Sequence, residues 1–106
     1  MSITPFPLPK DRARGLIREA ANTKNTIIPK SFGRGEWYEV FTHRQVVRCL
    51  EDGEIVDGPI TNEHGHFEYT MKRVIAGQEI HLTAVLFKDE HENWKVAVKE
   101  VRNGDY

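Results

Sequence analysis

The stretch that decides the fold runs Thr42-His43-Arg44-Gln45-Val46-Val47-Arg48-Cys49-Leu50, then Glu51-Asp52-Gly53, Glu54-Ile55-Val56 and Asp57-Gly58-Pro59. Thr42 with Gln45 three residues on is a capping-box pattern, in which side chains satisfy backbone donors left over at a helix start. Val46, Val47 and Leu50 then make one apolar face at helical spacing. This predicts a helix over 42–52, closed by Gly53 in the left-handed conformation, with Asp57-Gly58-Pro59 as a breaker.

Downstream the period changes from helical to two. His66 to Val74, Glu79 to Phe87 and Trp94 to Val101 alternate apolar and polar, the signature of half-buried strands. They predict an antiparallel meander over 66–101. With Ala76-Gly77 as a two-residue turn, Ile75 faces Gln78 and paired positions sum to 153. Met71 then opposes Leu82, Tyr69 opposes Ala84 and Phe67 opposes Leu86, so all six point one way. Carried to the third strand, the same face adds Trp94, Val96 and Val98, with Leu82 opposite Val98.

Upstream, three prolines between Ser2 and Pro9 exclude early regular structure and give an extended arm over 1–9. Pro9 suits the first position of a helix. From Lys10 to Asn22, Ala13, Leu16, Ile17, Ala20 and Ala21 recur at helical spacing, with Lys10, Arg12, Arg14 and Arg18 largely opposite: a basic amphipathic helix. Residues 26–41 carry no clear period. The fold class expected is α+β, with N-terminal helices packed on one face of a three- to four-stranded antiparallel sheet.

The chain of 106 residues fits a single domain with a modest core. Its apolar fraction of 39% and charged fraction of 29% are ordinary for a water-soluble chain, and no apolar run approaches a membrane span. With no secretory signal visible and one cysteine, Cys49, the expected location is the cytoplasm. Cys49 reads as a small, half-buried apolar residue of the second helix rather than a catalytic thiol. Charge is asymmetric: residues 1–50 hold nine Lys or Arg against four Asp or Glu, and the remainder six against twelve. Such a split suits a nucleic-acid surface on one side and an acidic, partner-facing side on the other.

The outer sheet face carries the candidate chemistry. The register places Lys72, His81 and Lys99 in one row across three strands, with Thr70, Thr83 and Ala97 in the next. A cationic row on an open face can hold phosphate. Metal-independent RNA cleavage needs a base for the 2′-hydroxyl, an acid for the leaving oxygen and cations for the crowded phosphate. His81 flanked by Lys72 and Lys99 can supply all three, so His81, Lys72 and Lys99 are the candidate catalytic residues, and Arg73 and Arg34 are further phosphate binders, joined by Arg14 and Arg18 of the basic helix. Lysines on an outer face also simply oppose edge-to-edge aggregation. His64-Gly65-His66 offers two imidazoles, too few for a metal site. His43 and His91 read as surface residues. No cofactor is expected.

Together the Thr26-Ile27-Ile28-Pro29 run, the Thr42-x-x-Gln45-Val46 helix with Leu50, the Gly53-x-Ile55 exit, Asp57-Gly58-Pro59, Phe67, Ala76-Gly77 and the apolar second meander strand make the chain resemble a small bacterial domain family. That family is grouped with the RelE and barnase-like ribonuclease toxins, MqsR being a similar relative, and the resemblance covers roughly residues 26–101. It implies an α+β fold, RNA cleavage or ribosome interference, and an antitoxin partner, often a zinc-binding protein of the YgiT or MqsA type. The family usually has a His-Ala-x-x-Arg-Met run and then Arg-Gly-Ile-Thr or Arg-Gly-Ile-Ser before the capped helix. Here Ser31 to Glu36 and Glu39 to Thr42 stand there, so the histidine and second arginine are missing, with Arg34 one residue out of register with the first. A chain that kept the fold and lost that site would be a non-catalytic interaction module.

Overall fold

A computed structural model describes residues 8–28, 42–75 and 77–103. Arg34, residues 29–41 and residues 1–7 of the expected arm lie outside them. The elements are α1 (Lys10–Asn22), β1 (Thr26–Ile27), α2 (His43–Asp52), β2 (Glu54–Thr61), β3 (Phe67–Ile75), β4 (Gln78–Lys88) and β5 (Trp94–Asn103). The fold is α+β, with a five-stranded mixed sheet ordered β1-β5-β4-β3-β2. The three- to four-stranded antiparallel sheet expected is thus too small: β2 and β1 add an edge strand on each side of the meander, and β1 pairs parallel. No helix among the described residues is long and apolar enough to cross a membrane.

The capping box forms in full. The Gln45 backbone N–H donates to Thr42 Oγ1 at 3.1 Å, and the Thr42 N–H donates to Gln45 Oε1 at 2.8 Å. Val46, Cys49 and Leu50 are wholly buried, so α2 is held by packing, at about 1.5–3 kcal/mol for each large aliphatic side chain. Cys49 is thus fully rather than half buried. Gly53 ends the helix in extended backbone, φ −70°, not in the left-handed region. Glycine is required there for space: a Cβ would lie 2.4 Å from the Cys49 carbonyl oxygen and 3.0 Å from that of Lys72.

α1 spans the predicted residues, with Pro9 one place earlier, as the N-cap. Its buried face, Ala13, Ile17, Ala20 and Ala21, joins Val46, Cys49 and Leu50 of α2 over the inner face of the sheet. Small residues on α1 let the two helices share that face.

The β3–β4 register is the one expected, from Phe67↔Leu86 through Met71↔Leu82 to Ile75↔Gln78. Phe67, Tyr69, Met71, Leu82, Ala84 and Leu86 are all buried, and the Tyr69 hydroxyl donates to the Leu8 carbonyl at 2.8 Å. Trp94 is partly buried against the same core.

Two further expectations fail. Asp57-Gly58-Pro59 does not break the chain but lies inside β2, which pairs antiparallel with β3 through two register shifts. Gly58, at φ +108°, takes the left-handed backbone there, and a Cβ would meet the Glu68 carbonyl oxygen at 2.7 Å. The β4–β5 register also differs: Leu82 faces Val101, and Ala84 faces Val98, with a shift between Thr83 and Ala84. Lys99 is the extra residue of a β-bulge. Val96 and Val98 point inward before it and Val101 after it, all buried. At the far edge β1 pairs parallel with β5, Thr26↔Val96.

Candidate functional site

With both helices on the inner face, the outer face of β3, β4 and β5 has no helix over it among the described residues. Its rows follow from the register. Lys72 faces His81 across β3–β4, and His81 faces Arg102, not Lys99, across β4–β5. On the other side Lys72 faces Glu54 of β2. The next row reads Thr70, Thr83 and Glu100, the last replacing the expected Ala97. The bulge moves Lys99 out of the row, and its Nζ lies 3.2 Å from Glu68 Oε2 instead.

A carboxylate that sequence reasoning left out sits beside the row, opposite Val74. Glu79 Oε1 is 2.8 Å from Lys72 Nζ and 3.6 Å from His81 Nε2. Glu79 and His81 are two apart on one strand, so they share a face, and that spacing is the signal by which Glu79 could have been found. The hydrogen bond from Lys72 holds the Glu79 carboxyl below its ordinary value, burial opposing and His81 assisting. The same bond raises Lys72. Both are therefore charged at neutral pH. His81 Nε2 is buried, faces the Glu79 carboxylate at 3.6 Å and makes no hydrogen bond among the described residues, so proton exchange with a ligand on the outer face falls to the other ring nitrogen, Nδ1.

The other nominated cations serve the fold. Arg14 Nη1 and Arg18 Nε donate to the Glu51 carbonyl at 3.3 and 2.9 Å, capping the C-terminal end of α2 from α1 where helix carbonyls lack partners. Burial, with the neighbouring Arg18, lowers Arg14 from its ordinary value. Arg73 Nη2 lies 3.9 Å from Asp52 Oδ2, which Arg48 also approaches at 3.8 Å. These contacts fasten the end of α2 to β3. A small groove of about 240 Å³ opens between Asp52, Glu54, Lys72, Arg73 and Val74.

Burial pushes the Cys49 thiol up to about 12, so at neutral pH it is protonated and no nucleophile. His43, His64 and His91 are exposed. Among the described residues no three His, Cys, Asp or Glu side chains come together as a metal site. The row and the neighbouring Glu79 therefore combine an imidazole, a carboxylate and two cations on the outer face, a set fit to take up a proton beside a bound phosphate. Compared with protein-family models, curated proteins and solved structures, the chain matches none.

Proposed function

We propose that the protein acts on RNA through the outer face of its sheet and cleaves it without a metal ion, as its resemblance to the RelE and MqsR-like toxins implies. On this reading the α+β fold is of the RelE or barnase type, and the partner is an antitoxin of the zinc-binding YgiT or MqsA kind. The observation that carries it is the Lys72–His81–Arg102 row with Glu79 beside the imidazole. His81 takes the proton of a ribose 2′-hydroxyl as its oxygen attacks the phosphorus. Glu79 stabilises the imidazolium so formed, and Lys72 and Arg102 balance the charge gathering on the phosphate. The imidazolium returns the proton to the 5′-oxygen as the P–O5′ bond breaks, leaving a 2′,3′-cyclic phosphate and a free 5′-hydroxyl.

The test is controlled expression in bacteria, reading growth with total RNA integrity. The wild-type chain is expected to arrest growth and cut RNA. His81→Ala is expected to lower the cleavage rate by about 10²–10⁴-fold, the usual contribution of a positioned base, with Arg102→Ala impaired and both variants folded. Full activity in His81→Ala would sink the assignment.

The second reading is the non-catalytic module, favoured by the ties on the remaining nominated cations: Lys72 to Glu79, Arg73 to Asp52, and Arg14 and Arg18 to the Glu51 carbonyl. It expects normal growth, intact RNA and a stable complex with a partner protein.

A further inference from the structure

Glu79 has two suitors and is bonded to one of them. Its Oε1 lies 2.8 Å from Lys72 Nζ, the length of a charge-assisted hydrogen bond, and 3.6 Å from His81 Nε2, too far for one. Both nitrogens compete for the same oxygen. His81 Nε2 is also the one buried side-chain polar atom among the described residues with no hydrogen-bond partner. A buried group left unpaired is costly, so the imidazole stands one short step from a bond it does not make. Closing 3.6 Å to the usual length of about 2.8 Å moves the carboxylate by less than about 1 Å.

Lys72 is what holds that bond open. The charged groups around the imidazole are Lys72 across β3–β4, Arg102 across β4–β5, Glu79 two residues away on β4, and Glu54 of β2, which faces Lys72 from its other side. An anion seated between Lys72 and Arg102 draws Lys72 Nζ towards itself and loosens its hold on Glu79. A neutral imidazole carries one N–H, on either nitrogen. A carboxylate released beside Nε2 keeps the proton there and leaves the Nδ1 lone pair for the outer face.

We propose that Glu79 is a two-position switch thrown by the anion: it rests on Lys72 as observed, and transfers to His81 Nε2 when a phosphate or phosphodiester group engages Lys72 and Arg102. The switch rests on the RNA reading above and adds its regulation, since the base is oriented only once a phosphate is in place.

The experiment is nuclear magnetic resonance of the full chain with isotope-labelled histidine. An imidazole N–H bonded to a carboxylate is protected from exchange with water and gives a far-downfield proton signal. The probes are sulfate, a dianion that does not titrate near neutral pH, and an oligodeoxynucleotide, which offers phosphodiesters but has no 2′-hydroxyl and is not cut. The wild-type chain is expected to lack the His81 Nε2–H signal alone and to gain it with sulfate or, at lower concentration, with the oligonucleotide. Lys72→Met is expected to show it with no anion added, because nothing then holds Glu79 back; should that variant fail to fold, Lys72→Leu carries the same expectation. Glu79→Ala is expected never to show it, although sulfate still shifts the neighbouring backbone signals. The switch is overturned if the signal is present before any anion is added, if neither anion produces it, or if the Lys72 variant lacks it. A response to sulfate but not to the oligonucleotide supports the switch and refutes the RNA reading. RNA cleavage by a chain whose His81 signal never changes refutes only the switch.

Discussion

Deleting Lys99 tests the β-bulge on which the site depends. Thr83 pairs with Glu100 and Ala84 with Val98, so Lys99 is the residue without a partner, and its removal leaves every observed β4–β5 pair in place. What is lost is its contact with Glu68, between side chains 60% and 14% exposed. A pair of that kind contributes about 0.2–1 kcal/mol. The deletion is therefore expected to cost no more than about 1 kcal/mol, or about 4–8 °C in melting temperature for a chain of this size. Deleting Ala97 is the contrast. It turns Val96, wholly buried, out of the core, which forfeits about 1.5–3 kcal/mol, and swings Lys95 inward as well. Urea unfolding followed by tryptophan fluorescence and circular dichroism compares the two. If deletion of Lys99 is as damaging as deletion of Ala97, or leaves the chain unfolded, the bulge is misplaced and with it the pairing of His81 with Arg102.

Thr42→Ala removes the hydroxyl half of the capping box and is expected to lower stability by about 1 kcal/mol, measurable by the same unfolding assay; no change would mean that α2 does not depend on its cap. Gly53→Ala is expected to cost about 1–3 kcal/mol or more, because the added methyl meets the backbone oxygens of Cys49 and Lys72, and a neutral result would contradict the close approach of α2 to β3. Alkaline titration probes Cys49, whose folded value of about 12 stands above the unfolded value of about 8.5. The unfolded thiol ionises first, so its contribution is complete below about pH 8.5 and falls by about 1.4 kcal/mol per pH unit as pH rises towards the folded value. Cys49→Ala is expected to flatten that slope between about pH 9 and 11, and an unchanged slope would show that the thiol is not buried.

The parts of the fold legible in the sequence are those in which burial is one-sided and regular. The six residues from Phe67 to Leu86 that face the helices read out as alternation because one face of β3 and β4 is dry and the other is not. The turn then fixed their pairing. α1 and α2 showed for the same reason, each having one buried stripe. β2 did not, because it is an edge strand with Val56 and Ile60 exposed and two register shifts that destroy any period of two. β1 is two residues long, shorter than any period can reveal. Its pairing with β5 comes from tertiary context.

The site was legible only as far as the register was. Lys72 and His81 share a hairpin with an unbroken ladder, so their adjacency followed from the turn alone. The third member had to be carried across β5, where Val98-Lys99-Glu100-Val101 puts two polar residues between two apolar ones. A regular strand would turn either Val98 or Val101 to solvent. Both are buried, and the one arrangement that keeps both inward inserts an extra residue, which exchanges Lys99 for Arg102 beside His81 and sends Lys99 to Glu68. The broken alternation thus held the correction in plain view. The exchange also has chemical content: an arginine beside the imidazole presents a planar fork to phosphate where a lysine would present a point charge, and the displaced lysine braces the Glu68 carboxylate on the same face. One bulged residue therefore sets both contacts, and a chain with a regular β5 would hold neither arrangement.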